Sequence, residues 1–255
     1  MADFVAQDSI VRTIWGNADT ILLVFAGSAA EFALNRAVDW LFFTGNLPRN
    51  PIGRLFSTAS FAQDIVFVDE ATAQQTLDRI TAAHSAVERR REQRLPDWAN
   101  RDVLYMLMDY SERSYALLHR PLTMAEQQDN FAVFRRVGVG LGIPDLPETY
   151  ADWRVDRQRH LERDLVYSDY TAALYEQYRR HLGAWRYDLL LQTQALLVPD
   201  RVRELLGLKP HPPLARLIWL YPLMRRLRLR ALVQRILMPP RYLADVRRLD
   251  RPIAV

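Results

Sequence analysis

The chain has 255 residues, of which 49% are hydrophobic and 25% charged, a composition that excludes a disordered protein and is typical of a globular one. It contains no cysteine, which excludes disulfides, cysteine-ligated zinc, iron–sulfur clusters, a cysteine nucleophile and covalent c-type haem attachment. The formal net charge is +4, but residues 201–255 hold 13 basic and 3 acidic side chains, so positive charge is concentrated at that end.

Apolar residues recur at helical spacing along nearly the whole chain, which predicts an all-α protein built as a single multi-helix globular domain. We expect a main domain over residues 1–200 and a basic, proline-punctuated helical extension over residues 201–255. The predicted helices cover roughly residues 18–43, 51–66, 69–93, 100–118, 123–141, 147–163, 169–182 and 184–197.

Local signals mark several of these helix ends. Asn50-Pro51 predicts an N-cap followed by proline at the first helical position. Thr123 and Glu126 have the spacing of a capping box. Gly138, Gly140 and Gly142 come just before Ile143-Pro144, where they indicate the C-terminal end of a helix and not a phosphate loop.

Two neighbouring helices each carry polar residues in an apolar stripe. Leu77, Ile80, His84 and Val87 follow helical spacing, which places His84 on the predicted buried face. A buried neutral imidazole requires hydrogen bonds or a metal, and a structural core histidine remains an open alternative. On the preceding helix, Arg54, Thr58, Phe61 and Ile65 share a face, and a buried arginine there would require an anion.

The first long helix contains polar residues at three successive helical positions, Glu31, Asn35 and Asp39. Two interpretations are open. These residues provide a carboxylate for proton transfer, or they form an internal salt bridge to Arg36 or Arg54.

The basic C-terminal part suggests a binding surface. Leu217–Met224 is apolar and aromatic and is followed by closely spaced arginines. The sequence favours a helix that packs its leucines on the core and turns its arginines to water. The second interpretation is peripheral membrane contact through residues 214–250. A nucleic-acid partner is not expected. The longest charge-free runs have 11 residues, fewer than the ~20 that a transmembrane helix needs, and we expect a cytoplasmic protein.

The order of short motifs along the chain is more specific than any one of them. These motifs are Trp15-Gly16-x-x-Asp19, Ala26-Gly27, Asn50-Pro51-x-Gly53-Arg54-x-x-x-Thr58, Val66-Phe67-x-Asp69-Glu70, His84-x-x-Val87, Asp109, Arg120-Pro121-Leu122-Thr123, Phe134-Arg135-Arg136-Val137-Gly138 and Gly142-Ile143-Pro144. In this order they resemble the catalytic-domain family of MpaB-type oxygenases and rubber (latex-clearing) oxygenases, over about residues 15–165.

This resemblance implies an all-α protein that binds haem b (iron) without a covalent bond and uses dioxygen to cleave carbon–carbon double bonds in an apolar, isoprenoid-like substrate. It implies that His84 is the proximal ligand of the haem iron. It also implies that Arg54 and Thr58 support the haem and take part in catalysis. Ser57 stands where the rubber-cleaving branch has a lysine, so no lysine ligand is expected on the distal side. The alternative is a non-catalytic all-α interaction or membrane-surface protein of the same family that has lost haem.

Overall fold

A computed structural model describes residues 2–43, 49–209 and 230–251. These residues are helical and contain no strand of a sheet, only two isolated bridge pairs, so the predicted all-α class is confirmed. The helices are α1 (Ile10–Trp15), α2 (Ala18–Phe32), α3 (Asp39–Phe43), α4 (Pro51–Val66), α5 (Glu70–Arg91), α6 (Asp97–Leu118), α7 (Met124–Gly140), α8 (Tyr150–Arg163), α9 (Asp169–Leu182), α10 (Ala184–Leu197), α11 (Asp200–Leu205), α12 (Arg230–Leu237), a 3₁₀ turn (Pro240–Tyr242) and α13 (Leu243–Arg248).

The predicted helix caps and the predicted helix end are confirmed. Asn50 caps α4 by accepting from the Gly53 amide at 3.0 Å, and Thr123 and Glu126 form both bonds of the capping box of α7. After α7 the chain closes a Schellman motif, because Gly142 has φ +70° and the Ile143 amide donates to the Gly138 carbonyl. These local signals therefore determine where helices begin and end.

The prediction of one helix over residues 18–43 was wrong. Helix α2 ends at Phe32, and α3 begins only at Asp39. Between them, Asn35 leaves the helix, accepts from the Ala37 amide through its side-chain oxygen, and forms a bridge pair with Leu165. A hydrogen bond between an asparagine side chain and a nearby backbone amide competes with the hydrogen bonds of the helix. The spacing of apolar residues does not report such a bond, so it did not predict the break.

The core lies around α2 and α6, which pack along their length. Gly27 of α2 allows the closest approach, since a Cβ atom there would overlap the ring of Tyr110 on α6. Trp15, Ile21 and Val24 are fully buried in the same cluster. Helix α8 packs against α6, whereas α4 packs mainly against α1, α5 and α9, and α5 packs against α4 and α7.

The last described residues also pack onto this core. The side chain of Gln63 on α4 donates to the carbonyls of Trp15 and Leu249, at 2.8 and 2.7 Å. Val246 and Leu249 are buried. The segment Leu217–Met224 lies outside the described residues, as do all residues from 214 to 229, while residues 230–250 of the same predicted surface are described.

Candidate functional site

The two histidine- and arginine-bearing helices, α4 and α5, are joined by three residues and pack against each other as a helical hairpin. Arg54 on α4 is exposed, and Thr58 is half-buried. The Thr58 hydroxyl donates to the Arg54 carbonyl at 3.1 Å, a bond within the helix. We call Arg54, Thr58 and His84 the hairpin face.

The placement of His84 and Arg54 on a buried stripe was wrong, because both side chains are exposed. The buried residues of α5 are Ala73, Thr76 and Leu77, all in the first half of the helix. Beyond Leu77 no residue of α5 is buried, and the apolar residues Ile80 and Val87 are only half-buried. Periodicity shows which residues share a face, but it does not show how far the core reaches along that face.

The surroundings of His84 favour its neutral form. The surrounding protein partly desolvates the ring and lowers its pKa, and the charge of Arg54 lowers it further, while Glu88 acts in the opposite direction. No hydrogen bond joins the imidazole of His84 to another described residue. At neutral pH this histidine therefore offers an uncharged ring nitrogen beside a cationic side chain.

Helix α3 lies at one end of the hairpin face. The Arg91 guanidinium, near the end of α5, stacks over the ring of Trp40 at 4.2 Å. Its Nη2 atom pairs with the carboxylate of Asp39 at 2.5 Å. These contacts hold α3 against α5 about two turns beyond His84.

A second polar site lies inside the molecule, between α2, α6 and α8. Arg157 donates from Nη1 and Nη2 to the two carboxylate oxygens of Glu31, at 2.5 and 2.6 Å. It also donates from Nη2 to Asp109 at 3.1 Å, and Tyr110 donates to Glu31. All four residues are buried, and we call this group, together with Asp102, His160 and Asp164, the interior network.

One carboxyl group of the interior network keeps its proton at neutral pH. Burial and the nearby charge of Glu31 raise the pKa of Asp102 to about 8. Burial would also raise the pKa of Asp109, but the charges of Arg157 and Arg113 outweigh it and hold that pKa below its usual value. Asp102 is thus neutral at pH 7 and receives a hydrogen bond from the Asn35 amide.

His160 completes the network on the α8 side. Its Nδ1 atom lies 2.7 Å from the Asp164 carboxylate and 3.9 Å from that of Asp102, but neither contact has hydrogen-bond geometry. Burial lowers the pKa of His160, although Asp164 opposes this effect. The ring is 1% exposed and packs edge-on against Tyr105. His160 is therefore a neutral core histidine at pH 7.

Of the two interpretations of Glu31 and Asp39, the structure shows the salt bridge, but with partners other than the expected ones. Both form salt bridges, but Glu31 pairs with Arg157 and Asp39 with Arg91, not with Arg36 or Arg54. Sequence analysis missed Arg157 and His160, because α8 reads as a charged, exposed helix. The sequence signal for them is a stripe at helical spacing that includes the apolar residues Trp153 and Leu161. The structure buries all five members of this stripe: Trp153, Arg157, His160, Leu161 and Asp164.

The described residues contain neither a metal-binding cluster nor a membrane-spanning helix. No group of three or more histidine, cysteine, aspartate or glutamate side chains is arranged to hold a metal ion. No described helix has both the length and the apolar character needed to cross a membrane.

The fold and these two sites define an all-α domain with a charged interior and an exposed His/Arg/Thr face on a helical hairpin. The profile of the family described as "ER-bound oxygenase mpaB/B'/Rubber oxygenase, catalytic domain" matches residues 15–229, which is most of the chain. The chain therefore belongs to this family of oxygenase catalytic domains, as its motifs indicate. Comparisons with curated proteins and with solved structures gave no match.

Proposed function

We propose that this protein is a haem b-dependent oxygenase that uses dioxygen to cleave a carbon–carbon double bond in an apolar, isoprenoid-like substrate. The observation that carries the proposal is the hairpin face in a chain of this oxygenase family: a neutral, unbonded imidazole beside an arginine. When bound, haem supplies the dioxygen chemistry. The overall reaction balances without a reductant, because the two oxygen atoms become the two carbonyl groups of the cleaved double bond.

The chemistry of the three side chains fits such a group. A histidine ligates iron through a neutral ring nitrogen, which the lowered pKa of His84 favours. Arg54 is exposed and positively charged, so it would pair with a haem propionate. Thr58 lies one turn from Arg54, and its hydroxyl is held against the helix backbone, where it can still accept a hydrogen bond.

These residues bind and orient, while apolar side chains around them exclude water. Phe61, one turn beyond Thr58 on α4, is 38% exposed and offers an aromatic ring beside the hairpin face. Ile80 and Val87, on either side of His84 along α5, are half-buried. Bound haem would cover part of this apolar surface and so desolvate His84 further, which favours the neutral ligand.

The absorption spectrum of the full chain, expressed with haem precursor and recorded before and after dithionite, tests this proposal. We expect a Soret band that shifts on reduction and is lost in His84→Ala. His119→Ala is the matched control, because His119 is also exposed but lies at the end of α6. It should keep the band, whereas loss in both variants would indicate adventitious haem on surface histidines.

The rival candidate is a family member without haem that acts as an interaction or membrane-surface protein. It predicts a colourless protein that takes up no haem on titration. It also predicts salt-sensitive binding to anionic vesicles through the basic C-terminal part. That combination would contradict the oxygenase proposal.

Oxygen consumption and product analysis test the reaction itself. Haem-loaded protein given an isoprenoid with dioxygen should form two carbonyl products for each dioxygen consumed. Arg54→Gln and Thr58→Val should lower turnover. Ser57→Ala is the control, since Ser57 is exposed on α4 and, among the described residues, its hydroxyl bonds only to the Gly53 carbonyl.

A further inference from the structure

A cavity of about 140 Å³ lies between α2, α4, α9 and α10, and residues at the end of α12 complete its wall. None of the three hairpin-face residues lines it. Apolar side chains form nearly all of its surface, including Leu23, Phe25, Leu55, Phe56, Leu190 and Met238. A cavity of this kind takes an apolar group in preference to water.

The cavity has one charged lining residue among those described, Arg186 on α10. Two other lining residues carry hydroxyl groups, but both already donate to backbone carbonyls: Thr193 to Leu189 and Tyr178 to Ala29. The Nε atom of Arg186 donates to the Ile236 carbonyl at 3.1 Å. Its two terminal amino groups have no partner among the described residues.

Arg186 is held at the edge of the cavity and is half-buried. Its guanidinium lies 4.3 Å from the centre of the Trp185 ring, and the bond to Ile236 fixes its other side. The side chains of Trp185 and Ile236 are each 49% exposed. The rim therefore combines exposed apolar surface with a fixed cation, and the cation has donors left for an anion.

We propose that this cavity binds a single-chain amphiphile with an anionic end, such as a medium-chain carboxylate. The alkyl chain lies in the cavity, and the carboxylate pairs with the terminal amino groups of Arg186. Charge complementarity at the rim favours this occupant over a neutral lipid or an apolar segment of protein. The inference does not depend on haem, because the hairpin face contributes nothing to the cavity.

Calorimetric titration of the full chain with decanoate and with 1-decanol, which share a chain length and differ in charge, tests the inference. We expect saturable binding of both, and tighter binding of decanoate. Arg186→Gln should weaken the binding of decanoate at least tenfold and leave the binding of 1-decanol unchanged. Ala26→Leu, which fills the cavity from α2, should weaken both ligands.

The matched control is Arg159→Gln, which removes an exposed arginine on α8, a helix that does not line the cavity. It should bind both ligands like the unsubstituted chain. Circular dichroism shows whether each variant is folded, and the interpretation uses folded variants. Equal decanoate binding by Arg186→Gln would overturn the role of the arginine, and unchanged binding by Ala26→Leu would overturn the cavity as the site. Absence of saturable binding would overturn the inference as a whole, while the Soret band reports separately on haem.

Discussion

The interior network and the hairpin face each contain an arginine and a histidine. These side chains are buried in the interior network and exposed on the hairpin face. In the interior, Arg157 is 3% exposed and is surrounded by the carboxylates of Glu31 and Asp109. On the hairpin, Arg54 and His84 are exposed, and neither forms a hydrogen bond through its side chain with another described residue. The described residues supply partners for the side chains in the first region but not for those in the second.

This difference separates a structural site from a candidate binding site. Burying a charge without a partner is costly, so an interior arginine must bring its anions with it. An exposed arginine and imidazole cost little to leave unpaired, because water solvates them until a ligand arrives. The residues that look most like an active site by burial and pKa therefore hold the fold together, whereas the proposed function depends on the exposed group.

The largest effect that we expect comes from Arg157→Met. The substitution leaves Glu31 and Asp109 buried without their cation, and breaking a buried ion pair in this way costs about 3–5 kcal/mol of unfolding free energy. Urea denaturation followed by circular dichroism measures the loss. Arg159→Gln, on the same helix but exposed, should change stability by less than about 0.5 kcal/mol. Equal effects of the two substitutions would contradict a network that supports the fold.

The two histidines sharpen the comparison. His160→Ala removes a ring that is 1% exposed and should destabilise the protein by about 2–3 kcal/mol, because it leaves a cavity beside Tyr105. His84→Ala should change stability by less than about 0.5 kcal/mol without haem, because His84 is exposed. Thermal denaturation of the apoprotein variants gives both values. A large loss for His84→Ala would show that it is a structural histidine.

A pH-dependent effect should follow from Asp102→Asn. The folded pKa of about 8 lies above the ordinary value near 4, so the folded state binds the proton more tightly than the unfolded state. The stability that this adds is present in full below pH 4 and is lost as the pH rises through about 8. Asparagine has the same shape and no titrating proton, so the variant should gain stability relative to the unsubstituted chain between pH 5.5 and 8.5.

The titratable and charged groups near this carboxyl are Glu31 from α2, Arg157, His160 and Arg163 from α8, and Asp164 just after α8. The measurement is the unfolding free energy of the unsubstituted chain and of Asp102→Asn at pH 5.5 and at pH 8.5. Arg159→Gln is again the control, because it changes an exposed residue of α8 and leaves every carboxyl group in place. Parallel pH profiles for the unsubstituted chain and Asp102→Asn would contradict the raised pKa.

Much of the fold follows from local signals. The helices from α4 to α10 lie close to their predicted ranges, and the caps at Asn50 and Thr123 form as expected. The break at Asn35 was not predicted, because it depends on a side chain bonding to its own backbone and on the pairing of Asn35 with Leu165. The candidate site stays a prediction: its three residues come from motif order, and the burial that we expected for Arg54 and His84 was wrong.

The sequence by itself determined the all-α class, most helix ends and the family, because each depends on spacing along a few turns or on the order of motifs. Only the tertiary structure decided which charges are buried. Arg157 and Glu31 are 126 positions apart, and no local sequence pattern on α8 indicates a partner on α2. Likewise, the face of α5 that carries His84 is periodic, but its exposure depends on where the neighbouring helices stop. Helix periodicity is a local property, whereas burial is a property of what packs across the helix.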